Sequence, residues 1–176
     1  MPVNSAAQSP QDRTVESLVQ NQIVFVDVIV LPPLQQGGQP IHEFRAGKYV
    51  TGDGDVACFS FDKCLLIFKL AWSTKHFRSA MFTQGEPNDP DGPGIPEMDR
   101  PALVVGVPGQ NGCPESLADP PFHDVIRDVT GQMVSVINDN AGGSGKNQYA
   151  YKLNVLVTEH SGAQNVIPID PRIINK

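Results

Sequence analysis

The chain has 176 residues, 13 Lys and Arg against 19 Asp and Glu, and a formal charge of −6. That size suits one domain with a real core, and 40% hydrophobic with 18% charged residues excludes a disordered chain. The basic residues are scattered singly, which argues against a nucleic-acid footprint or an anionic membrane surface, both of which need clustered positive charge. Glycine and proline contribute 16 residues each, about 18% together, where ordinary usage is roughly 12%, so the chain turns often.

Residues 1–20 are polar and irregular and lack the basic start and apolar run of a secretory signal. They are expected to form a flexible tail, with Val15, Leu18 and Val19 spaced for at most one amphipathic helical turn. From Gln22 the chain becomes β-branched and aromatic through Leu31, then stops at Pro32 and Pro33, which reads as a central strand. The longest apolar stretch, Ile23 to Leu31, is far below the roughly 20 residues of a membrane-spanning helix. Ile41 to Phe44 and Lys48 to Thr51 suggest a short edge strand broken at Gly47.

Val56 to Trp72 is apolar, and strands are preferred to a helix because Gly52 and Gly54 precede it and no cap opens it. His76 to Thr83 continues as a strand anchored by Phe77 and Phe82. Residues 84–101, with five prolines and three glycines, are a loop, and long loops in compact domains are often functional. Ala102 to Val107 is a strand, followed by a second loop. Residues 119–130 fit either a helix capped by Asp119 and Pro120 or one arm of a hairpin turning at Thr130 and Gly131, with the hairpin preferred.

Tyr149, Tyr151, Leu153, Val155 and Val157 alternate with other residues in the period of a half-buried strand. The run NDNAGGSGKNQ before it reads as a hairpin loop, so Met133 to Ile137 is expected to pair antiparallel with that strand. Val166 to Ile169 closes the series. The fold expected is all-β: an immunoglobulin-like β-sandwich of about seven to nine mainly antiparallel strands with long loops, spanning residues 21–176 as one domain.

The run SVINDN, a Gly/Lys-rich turn, YAYKLNVLV and a terminal IDPRIIN resemble the carboxy-terminal signature of the DP-EP family of small bacterial proteins. More distantly, these segments are similar to the last strands of the AidA and PixA inclusion-body proteins. The resemblance covers roughly the last 45 residues and implies a bacterial β-sandwich. It brings no active site with it.

Cys58, Cys64 and Cys113 form no disulfide framework and suit a reducing, cytoplasmic setting. On one strand Cys58 and Cys64 would stand roughly 20 Å apart, so they meet only across a turn near Asp62 and Lys63. The reading preferred for them is small buried apolar residues. Gly52, Gly54 and Ala57 match a degenerate dinucleotide pattern, but the sequence after them reads as strand where the mechanism needs a helix N-terminus. Gly142, Gly143, Ser144, Gly145 and Lys146 similarly resemble a phosphate loop without its required flanks. No cofactor is expected.

Calcium is a further candidate, because Asp53 with Asp55, Asn88 with Asp89 and Asp91, and Asn138 with Asp139 and Asn140 cluster oxygens on loops. The competing reading is turn chemistry, since Asx side chains bond their own backbone. Asp27, on a strand face with Phe25 and Ile29, lines a pocket, pairs with a basic residue, or faces water at an edge. Trp72, Tyr49, Tyr149 and Tyr151 form either a sugar-binding platform or ordinary core. His42, His76, His123 and His160 show no paired spacing, and no nucleophile elbow is present. The leading expectation is a non-enzymatic protein, with a homodimer formed through strand edges or sheet faces as the candidate assembly. The alternatives are a carbohydrate- or calcium-dependent binding module and an enzyme with a cysteine or carboxylate site.

Overall fold

A computed structural model describes residues 22–58, 63–86, 89, 91, 94–109, 114, 121–139 and 148–175. Eleven strands are present among them: β1 (Gln22–Leu31), β2 (Ile41–Phe44), β3 (Val56–Cys58), β4 (Cys64–Ala71), β5 (Ser79–Phe82), β6 (Leu103–Gly106), β7 (Phe122–Arg127), β8 (Met133–Asn138), β9 (Gln148–Thr158), β10 (Gln164–Ile169) and β11 (Arg172–Asn175). The fold is all-β, as expected, but the strands outnumber the seven to nine of the sequence reading. The excess arises because β3 is only three residues long and because Asp170 and Pro171 split the C-terminal segment into β10 and β11. The tail expected over residues 1–20, the helix cap at Asp119 in the alternative reading of 119–130, and the hairpin loop preferred to a phosphate loop at 142–146 lie outside the described residues, as do Cys113, Asn88 and Asn140.

Five strands form one sheet in the order β2-β1-β4-β8-β7, and six form a second, in which β10-β9-β11-β3 is joined by β5 and β6 pairing with β9. Pairing is antiparallel except β1 with β4 and β3 with β11. Both parallel pairs follow from a chain that changes sheets, since parallel neighbours cannot be joined by a tight hairpin. The inward residues Val24, Val26, Val28, Leu66, Phe68 and Val136 of the first sheet meet Tyr151, Leu153, Val155 and Val157 of the second in one core. Phe68 and Tyr151 bring their rings together at 4.9 Å across the gap.

The second sheet is organised on β9, an eleven-residue strand with partners along both edges. On one edge β10 covers Leu153 to Thr158 and β11 covers Gln148 to Ala150. Between them Pro171 cannot donate to the ladder, yet its carbonyl accepts from Tyr151 N at 3.0 Å. On the other edge β5 and β6 lie end to end along β9, and residues 84–101 leave and rejoin that line between them. Thr83 N donates to Asn154 O and Asn154 N to Ala102 O, so the excursion departs and returns at one residue. The Asn154 side chain, fully buried, also donates to Pro101 O at 2.9 Å.

Four expectations are corrected here. β8 does not pair with β9; it sits between β4 and β7 in the other sheet. β9 is not half-buried, because Ala150, Asn154 and Leu156 on its outer face are as enclosed as its core residues. The strand around Phe77 and Phe82 begins only at Ser79, and Phe77 is buried from the turn before it. The stretch around Lys48 to Thr51 contributes a single bridge, Val50 with Val56. The 122–138 segment is the preferred hairpin. Its turn has Gly131 at φ 71°, where a Cβ would strike the Arg127 guanidinium, and Asp128 accepts from Thr130 N and Met133 N.

Candidate functional site

The outward face of the five-stranded sheet carries the largest unexplained feature. Strand register places Ile23, Leu65, Ile137 and His123 in one row across β1, β4, β8 and β7. Phe25, Ile67, Ser135 and Ile126 form the next row, and Asp27, Lys69 and Met133 the third. Ile23 is 54% exposed, Phe25 57% and Ile126 63%, values expected of polar residues on a solvated face. Among the described residues no further strand or helix packs over these rows. Contiguous apolar surface of this kind marks a contact site in a soluble protein.

The borders of the patch are charged. Asp27 pairs with Arg45 at 3.3 Å, so of its three readings the basic partner is realised. Lys69, its neighbour in register, holds Nζ 5.5 Å from the centroid of the Phe25 ring, within cation–π range. At the opposite end His123 is held between two carboxylates, with Nδ1 2.9 Å from Asp124 and Nε2 2.7 Å from Asp139. Lys63 approaches the other Asp139 oxygen at 3.7 Å. Asp124, followed by Asp139, raises the His123 pKa above the usual histidine range.

This group depends on a local irregularity. His123 pairs with Ile137 and Ile126 with Ser135, so β7 carries one residue more than its partner, a β-bulge. Asp124 takes the left-handed conformation at φ 53°, the one described non-glycine residue to do so, and from there its carboxylate reaches back to His123. Sequence reading passed over His123 because its partners lie one and sixteen residues away and only the fold unites them. The alternation of polar and apolar residues in FHDVIR carried no sign of the bulge.

The calcium candidates are dispersed and mostly occupied. Asp55 accepts from Arg172 N at 3.0 Å and from its guanidinium at 2.7 Å, and Asp91 pairs with Lys152 at 2.9 Å. Asp89 reaches back to accept from Glu86 N at 2.7 Å while its own N donates to Glu86 O, closing a local turn, and Asp139 belongs to the His123 group. Asp53 lies on the turn before Gly54. Among the described residues no three His, Cys, Asp or Glu side chains converge to hold a metal ion.

The aromatic platform is likewise not assembled. Tyr151 is fully buried and donates to Gly54 O at 2.7 Å, while Tyr149 packs edge-on against Phe122. Trp72 donates to Gln132 Oε1 at 3.2 Å, and Tyr49, Trp72 and Tyr149 each lean on the core. The Gly52, Gly54 and Ala57 pattern opens strand β3 and not a helix. Gly54 is required for another reason: at φ 84°, a Cβ would meet the Phe44 ring at 2.4 Å.

Among the described residues no helix is long and apolar enough to cross a membrane. Comparison with protein-family models, with curated proteins and with solved structures returns no match to this chain.

Proposed function

We propose that the protein is a non-enzymatic, self-associating bacterial β-sandwich of immunoglobulin-like type, working in the cytoplasm, whose copies pack through the outer face of the five-stranded sheet. The observation that carries this reading is the pair of apolar rows in which Ile23, Phe25 and Ile126 are exposed, and Leu65, Ile67 and Ile137 half-buried, where a solvated sheet would alternate to polar residues. The five strands hold 34 residues in all, which at about 3.3 Å along each strand and about 4.8 Å between strands make a face of roughly 540 Å². A standard interface takes about 800 Å² from each partner and transient ones less than about 600 Å², so the face suits a weak, concentration-dependent association with a second copy of itself. The C-terminal resemblance to the DP-EP family agrees with a sandwich of this kind and brings no catalytic group with it.

Gel filtration with light scattering over a wide concentration range tests the proposal. The mass is expected to rise from near 19.0 kDa toward twice that value as concentration increases. Phe25→Lys puts a charge at the centre of the face and is expected to return the protein to monomer. Because Phe25 is already exposed in the single chain, the variant's melting temperature at low concentration should fall by no more than about 2–4 °C, the cost of the lost Lys69 contact. A wild-type mass of one chain at every concentration, or a Phe25→Lys variant that associates like wild type, overturns the proposal.

A further inference from the structure

At one end of the sandwich the last residue of β3 and the first of β4 turn their side chains into the gap between the two sheets. Cys58 belongs to the six-stranded sheet and Cys64 to the five-stranded one, and both are fully buried. Their sulfur atoms are 3.4 Å apart as free thiols. Asn138, the register partner of Cys64, also hydrogen-bonds Cys58. The Cys64 contact, opposed by burial and helped by Asn138, holds the Cys58 thiol below the usual cysteine range, whereas Cys64 is pushed up. The two thiols are therefore unequal: one is the better nucleophile and the other keeps its proton.

We propose that Cys58 and Cys64 form a peroxide-oxidisable dithiol, a modification site that closes into a reversible clasp between the two sheets. A disulfide needs the sulfurs about 1.4 Å closer than they stand, a shift that side-chain rotation at two strand ends can supply. The pair is enclosed, which favours hydrogen peroxide over a bulky disulfide as oxidant. It also lies one residue from the half-exposed Lys63, where strand ends fray first.

The chemistry balances in two steps. The Cys58 thiolate attacks one peroxide oxygen, the S–O bond forms as the O–O bond breaks, and the departing hydroxide takes up a proton as water. Cys64 then attacks the Cys58 sulfur of the resulting sulfenic acid, the S–S bond forms as S–O breaks, and a second water leaves. Two thiols lose two electrons and peroxide is reduced to two waters. An external dithiol reverses the change.

The test is titration of the reduced full-length chain with hydrogen peroxide, followed by unfolding, alkylation and peptide mapping, beside a Cys113→Ser variant. Both proteins are expected to lose two alkylatable thiols together and to yield a cross-linked peptide joining Cys58 and Cys64, which dithiothreitol releases. Closing so short a ring is expected to raise the melting temperature by about 5–10 °C. In Cys64→Ser the reaction should stop at a sulfenic acid on Cys58, trapped by dimedone. Stable sulfinic acid on either residue of the wild-type protein, pairing with Cys113, or both thiols surviving doses that oxidise free cysteine overturns the inference.

Discussion

Replacing Tyr151 by phenylalanine removes a single oxygen from the middle of the fold. The hydroxyl donates to the carbonyl of Gly54 at 2.7 Å, and both residues are buried, so the carbonyl then has neither this donor nor free access to water. The ring remains, and with it the contact to Phe68 at 4.9 Å, so no cavity larger than the lost oxygen opens. Stranding a buried acceptor costs about 1–3 kcal/mol. In a domain of this size each kcal/mol moves the melting temperature by about 2–4 °C, so a drop of about 4–8 °C is expected at a mid-range cost.

Urea unfolding at pH 8 checks the figure, and an unchanged slope would confirm that only stability has moved. An alkaline arm checks the cause. Burial first, and the charge of Asp55 second, raise the Tyr151 pKa well above that of a free phenol. The folded value lies above the unfolded one, so this contribution to stability is complete below about pH 10 and declines as the pH rises beyond it. The gap between wild type and Tyr151→Phe should therefore narrow at pH 11. A loss below about 0.5 kcal/mol at pH 8 would refute the reasoning, because that is the scatter of an ordinary surface change.

Two further outcomes are expected. The His123 ring should titrate above the usual histidine range by NMR, falling back most in Asp124→Asn and less in Asp139→Asn. Since its folded pKa is raised, the stabilisation is complete below about pH 6.5 and is lost as the pH climbs through the folded value. His123→Gln should accordingly destabilise more at pH 5.5 than at pH 8.5, and an equal loss at both would count against the ion-pair account. Gly54→Ala forces a left-handed residue against the Phe44 ring, and a destabilisation of about 2 kcal/mol or more is expected in thermal melts.

Much of the architecture was readable from local chemistry. The proline stop after Leu31, the glycine turn at Gly131 and the alternation through Tyr149 to Val157 each placed an element within a residue or two. Sheet membership was not readable in the same way. NDNAGGSGKNQ announces a change of direction, but a hairpin and a crossing between layers use the same residues, and only the packing of Val134 and Val136 against β4 decides between them.

The candidate contact face was hidden for a related reason. QIVFVDVIVL is apolar on both sides, which reads as a strand buried twice over, whereas Ile23 and Phe25 stand in the open. Cys58 and Cys64 were correctly placed as neighbours only under the condition of a turn between them. That β3 and β4 belong to different sheets was not in their spacing.

Asn154 has a consequence for how this chain can vary. The excursion of residues 84–101 leaves and returns at that one position, held by Thr83 on one side and Ala102 on the other. Its length therefore does not enter the alignment of β5 or β6 on β9, and closing a longer loop costs only about 0.6 kcal/mol for each doubling. Inserted sequence there would leave the ladder undisturbed, which makes the segment a natural port for grafting a peptide or a reporter onto the scaffold.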